Sequence, residues 1–150
     1  MTGSHLHLLV NHFPIVGNIL SIVLLAWALF RNKRELILLA LASSIVVAIF
    51  GYVTDFTGDK AKDQVWDMTG FSKMAIHDHI QAADLSLNFL YATAAIAAIA
   101  YFLYWRKKKA AKFVIYFTLI LSLVSAYFLY RTGNLGGLIR HPEIENTSQN

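Results

Sequence analysis

The sequence predicts an all-α fold, a four-helix transmembrane bundle with both termini on the same, periplasmic side. Three observations lead there. Of 150 residues, 57% are hydrophobic and only 15% are charged, which is too apolar for an ordinary soluble domain. The apolar residues gather into four runs, 13–30, 36–53, 85–104 and 113–130, that hold no Asp, Glu, Lys or Arg. The charges fall into separate groups, basic in the two short turns and acidic elsewhere.

Each run approaches the roughly 20 residues that a helix needs to cross a hydrocarbon core about 30 Å thick. Backbone groups surrounded by lipid must bond within their own segment, so each run is helical. Spans are expected at about 8–30, 36–53, 77–105 and 113–131, forming one domain over 1–150, with 132–150 as an external tail. The first run has no basic segment before it and no small-residue cleavage site after it, so it is expected to stay in the mature protein.

The first span ends at Arg31, Asn32, Lys33, Arg34 and Glu35, and the third at Arg106, Lys107, Lys108, Lys109 and Lys112. These turns hold eight of the 13 basic residues, whereas eight of the nine acidic residues lie on the other side. By the positive-inside rule both turns are cytoplasmic. The termini and the longer 54–73 segment, with Asp55, Asp59, Asp63 and Asp67, are then external, as in a multi-pass protein of a bacterial inner membrane. The expected surroundings are membrane lipid; a net charge of +4 concentrated beside spans gives no reason to expect nucleic acid.

There is no cysteine, so disulfides, thiolate ligands, iron–sulfur clusters and covalently attached haem are excluded together. Any metal must be held by histidine, methionine or oxygen. All six histidines, His5, His7, His12, His77, His79 and His141, fall on the external half. That grouping points to a common site.

His12 stands about one turn inside the first span and precedes Phe13 and Pro14. An ionisable residue at that depth normally faces the bundle interior. Pro14 lacks an amide proton and frees the carbonyl of Val10, so the helix should kink there. His7 lies five residues earlier and points about 140° away from His12, so the two cannot share one iron from one helical face. His77 and His79 diverge by about 200°; His79 shares its stripe with the small Ala82, Ala83 and Ser86, and is favoured as the inward one. Exposure is the simpler reading of His5.

The run ATAAIAAIA, 92–100, is poor in bulk, which suits close helix packing or room for a flat group. The small-residue face also admits a homodimer. After the last span, GNLGGLIRHPEI (133–144) contains three glycines that permit tight turns, so the tail is expected to fold back over the external mouth. It would bring His141 to the cluster and leave Arg140 to meet a carboxylate such as a haem propionate.

In a membrane bundle without cysteine, two facing imidazoles suit a low-spin b-type haem. His7, His12, His79 and His141 are the expected iron ligands, enough for one or two bis-histidine haem b groups, with His77 a further candidate. The function expected is electron transfer between a membrane donor, for example a quinol, and a periplasmic or membrane redox partner. The alternative is a copper- or zinc-binding module or redox sensor, which the two His-x-His pairs would serve.

Three stretches together, HLHLLVNHFPI, TGDKAKD followed by IHDHIQAA, and GNLGGLIRHPEI, resemble the DUF2231 family of small four-helix bacterial membrane proteins. That resemblance covers nearly the whole chain and implies a haem-binding membrane cytochrome. Residue by residue it implies roles for His12 in NHFP and His79 before IQAA, with His7 and His141 matching further histidines; Ile80 stands where the family more often has an acid. It implies no reaction.

Overall fold

The structure is a computed structural model that describes residues 3–140, with only the backbone of Arg140. Its five helices are α1 (Gly3–Val10), α2 (Phe13–Arg31), α3 (Arg34–Val65), α4 (Lys73–Trp105) and α5 (Ala111–Arg140). There is no strand among the described residues. α1 and α2 together make the first span, so four units, Gly3–Arg31, Arg34–Val65, Lys73–Trp105 and Ala111–Ile139, are long and apolar enough to cross a membrane. The expected all-α, four-helix transmembrane bundle is the fold observed.

The break between α1 and α2 follows from Pro14. With no N–H at Pro14, the carbonyl of Val10 has no helical donor; Thr54 Oγ1 of α3 donates to it instead at 3.2 Å. The same hydroxyl also lies 2.9 Å from Phe50 O, within its own helix. α1 lies along α3, where Ser4 N and Oγ reach Gln64 Oε1 at 3.0 and 2.8 Å.

Around the bundle the order is α2, α3, α4, α5, with α2 closing against α5. One core, at the basic-turn end, joins Leu25, Ala28, Ile37, Leu41, Ala97 and Ile115. A second, towards the histidine end, joins Val47, Ala48, Leu87, Leu90 and Leu129. Polar contacts tie the helices as well: Asn18 Nδ2 donates to Ser122 O at 3.0 Å, Ser43 Oγ to Ser21 Oγ at 2.9 Å, and Thr93 pairs with Ser125 at 2.9 Å. Lipid is as apolar as leucine, so close packing and such bonds, rather than apolar burial, hold membrane helices together. The large apolar side chains Leu20, Phe30, Phe113 and Tyr130 face outward for the same reason.

The alanine run of α4 serves this packing. Ala97 and Ala100 are fully buried against the core at the basic-turn end, so this part of the run is filled by neighbouring helices and leaves no space for a flat group.

All four spanning units start or end somewhat beyond the expected bounds, and α3 and α5 run furthest past them. α3 runs on past residue 53 to Val65, and its 32 residues span about 48 Å, well beyond a 30 Å hydrocarbon core. α5 runs past residue 131 to Arg140, taking in Gly133, Gly136 and Gly137. The expected fold-back at these glycines is corrected: they are helical, and at Gly136 the missing Cβ admits a neighbouring ring. Residues 141–150 lie outside those described.

Candidate functional site

Two of the histidines are held between helices, in the same manner. His7 of α1 is half-buried and turned onto α3, where its Nδ1 lies 3.1 Å from Thr54 O and 3.3 Å from Thr57 Oγ1. His79 of α4 is half-buried and turned onto α5, with Nδ1 3.0 Å from Thr132 O. A carbonyl only accepts, so in each ring Nδ1 carries the proton and donates it. The tautomer is thereby set, and Nε2 keeps its lone pair. Nε2 of neither ring has a hydrogen-bond partner among the described residues.

Each ring lies over a glycine on the facing helix. A Cβ on Gly58 would stand 3.2 Å from His7 Cε1, and one on Gly136 would stand 3.0 Å from His79 Cε1. A Cβ at either position would press on the ring and require it to give by a few tenths of an ångström.

The likeness extends to sequence. Phe50-x-Tyr52-x-Thr54-x-x-x-Gly58 in α3 returns as Phe128-x-Tyr130-x-Thr132-x-x-x-Gly136 in α5, every pair 78 positions apart. His5-x-His7 of α1 returns as His77-x-His79 of α4, and in each pair the second histidine is the one held. Phe50 stacks on Phe13 at 5.2 Å, and Phe128 stacks on Phe89 at 4.7 Å. Both basic turns pass through a left-handed residue other than glycine, Asn32 at φ 47° and Lys107 at φ 54°. The chain is thus an internal repeat, α1–α2–α3 followed by α4–α5, with both halves in the same orientation. His7 and His79 occupy equivalent places in the two halves.

The site is at the bundle end opposite the basic turns. Arg34 to Thr54 in α3 and Lys112 to Thr132 in α5 are each about 20 residues, roughly 30 Å of helix, or one hydrocarbon thickness. Both Thr carbonyls therefore lie about one hydrocarbon thickness along the helix from the basic turns.

The other expected ligands are placed differently. His12, expected to face the interior, is exposed at the α1–α2 junction and its Nδ1–H donates to Asn11 Oδ1. Pro14, two residues further on, is the residue buried there. His77 is exposed and accepts from Gln81 Nε2 at 2.9 Å along its own helix. His5 is also exposed. His141 lies outside the described residues, and so does the Arg140 side chain.

Among the described residues no three His, Cys, Asp or Glu side chains converge as a metal site. Structural zinc takes four protein ligands and catalytic zinc three, whereas a haem iron already bonded to four porphyrin nitrogens needs only two more. Within each His-x-His pair the side chains diverge, so neither pair chelates one ion. The donor set described here, two imidazoles with free Nε2 lone pairs, fits haem.

Comparison with protein-family models, with curated proteins and with solved structures returned no match. The repeat carries the assignment of the site instead. It was open to a search for internal similarity along the sequence, whereas depth within a span points to His12, which the structure leaves exposed.

Proposed function

We propose that the chain is a b-type haem membrane cytochrome, in which His7 and His79, at equivalent places in the two halves of the repeat, would hold one haem. One observation carries this: two half-buried histidines at equivalent repeat positions each commit Nδ1–H to a backbone carbonyl, and Nε2 of neither has a partner among the described residues. A metal-bound histidine almost always has its second ring nitrogen engaged in this way, which orients the ring and raises its basicity.

Haem, when bound, supplies one-electron oxidation and reduction. The chain does the rest. Thr54 O and Thr132 O hold the rings in one tautomer and orientation, and Gly58 and Gly136 leave space for them. Ser4 and Gln64 fasten α1 to α3, so His7 is carried on an anchored segment. We place the site at the periplasmic face of a bacterial inner membrane, since the basic turns belong on the cytoplasmic side. There electrons pass between a membrane donor such as a quinol and a periplasmic carrier. The resemblance to the DUF2231 family implies the same cofactor.

The test is a reduced-minus-oxidised visible spectrum with a pyridine haemochrome count, on wild type and on His7→Ala, His79→Ala and His12→Ala. We expect about one haem b per chain, lost in the first two variants and retained in the third. A colourless wild type after expression with ample haem, or full haem in His7→Ala and His79→Ala, overturns the proposal.

A further inference from the structure

At the opposite end, a cleft of about 270 Å³ opens between the start of α3 and the α4–α5 turn, lined by Arg34, Tyr104, Lys107, Lys108, Lys109 and Lys112. Five cations meet there with only Glu35 nearby in sequence. The salt bridges among the described residues, Lys62 with Asp59 and Lys73 with Asp67, both belong to the other end. Like charges this close repel unless an anion lies between them.

The cleft is shaped by specific bonds. Arg34 Nη2 donates to Trp105 O at 3.1 Å, which pins the guanidinium across the seam between α3 and the end of α4. Lys107 takes a left-handed backbone conformation, φ 54°, and the turn closes through Lys107 N to Tyr104 O at 3.0 Å and Lys108 N to Leu103 O at 2.9 Å. The successive lysines are therefore wound round a tight turn. Of the first basic turn only Arg34 lines this cleft; Arg31 and Lys33 do not.

Outward-facing Phe102, Trp105 and Phe113 flank the cleft, which places it at the level where apolar spans meet headgroups. Basic recesses between helices on this side of a membrane suit the phosphates of anionic lipids. We propose that the cleft binds the phosphate of an anionic phospholipid headgroup from the surrounding leaflet, with Arg34, Lys107, Lys108 and Lys112 as its cationic contacts and Tyr104 as a hydroxyl contact.

The chain has three tryptophans, and Trp105 adjoins the cleft. The test uses full-length protein carrying Trp27→Phe and Trp66→Phe, in phosphatidylcholine bilayers doped with brominated phosphatidylglycerol or brominated phosphatidylcholine. Brominated phosphatidylglycerol should quench Trp105 more effectively by at least about fivefold, the factor that a single lysine's attraction supplies. Adding Lys107→Gln, Lys108→Gln and Lys112→Gln should bring the ratio to about one. Arg31→Gln with Lys33→Gln should leave the ratio unchanged.

Equal quenching by the two lipids in the unaltered cleft overturns the proposal, and needs no charge variant to interpret. So does an equal loss from the Arg31 and Lys33 changes, which would mean diffuse surface charge. Full displacement of the preference by inorganic phosphate at constant ionic strength would make this a free-phosphate site, and also overturns it.

Discussion

Gly136→Ala separates the fit of the His79 ring from the stability of the fold. The new Cβ would stand 3.0 Å from Cε1 and 3.3 Å from Nδ1 of His79, so the ring must retreat by a few tenths of an ångström. The bond most exposed to that movement is Nδ1–H to Thr132 O, 3.0 Å in the native arrangement. Its loss costs about 1 kcal/mol. Replacing glycine by alanine inside a helix returns about 1 kcal/mol. The two nearly cancel, and the melting temperature of the haem-free protein should stay within about 2–4 °C of wild type. Haem affinity does not benefit from helix propensity. Disturbing a ligand's second contact should weaken binding by about 10- to 100-fold.

Gly137→Ala is the control, because a Cβ there meets nothing within 4 Å. It should stabilise by about 1 kcal/mol and leave haem affinity alone. The assays are thermal unfolding by circular dichroism in detergent and Soret-band titration with haem. If Gly136→Ala and Gly137→Ala both stabilise the protein and bind haem alike, the ring is not held against α5 as described.

Further outcomes are expected. Thr54→Val keeps the shape of the side chain but leaves Val10 O without its donor from α3, at a cost of about 1–3 kcal/mol read as a lower melting temperature. It should also weaken haem binding, because α1 carries His7. Asn18→Ala removes the donor to Ser122 O and should cost about 1 kcal/mol, within the range for hydrogen bonds between membrane helices, without changing the visible spectrum. His77→Ala should leave haem content unchanged within about twofold, since His77 is exposed and bonded only along its own helix to Gln81. Because the chain has no cysteine, single cysteines at Gln64 and Lys108 report topology directly. An impermeant maleimide should label the first from the periplasmic side of intact cells and the second only after the membrane is opened; the reverse pattern would invert the assigned orientation.

Much of the bundle was legible from one dimension. Four uncharged runs, and turns rich in arginine and lysine, specify spans and their order because lipid excludes charge and unpaired backbone wherever they occur. Pro14 announced the break in the first span, and the Val10 carbonyl it frees is the one that Thr54 caps. Direction about the helix axis let only one of His77 and His79 face inward, and the small stripe of Ala82, Ala83 and Ser86 favoured His79. The ends of α3 and α5 were less legible. Asp55 and Asp59 read as a loop beyond the membrane, and the GNLGG stretch read as a turn, because local propensity disfavours glycine and aspartate in helices by only about 1 kcal/mol per residue. Packing against α1 and His79 outweighs that.

By itself, then, the sequence determined the fold class, the four spans, the exclusion of thiol chemistry and the gathering of histidines at one end. Each follows from a solvent that acts on residues one at a time. Only the tertiary structure decided that His7 rather than His12 is turned inward, that His7 and His79 are a matched pair, and that Gly58 and Gly136 make room for them. Those depend on which carbonyl of a neighbouring helix a ring nitrogen can reach, a distance across the bundle that no spacing along the chain contains.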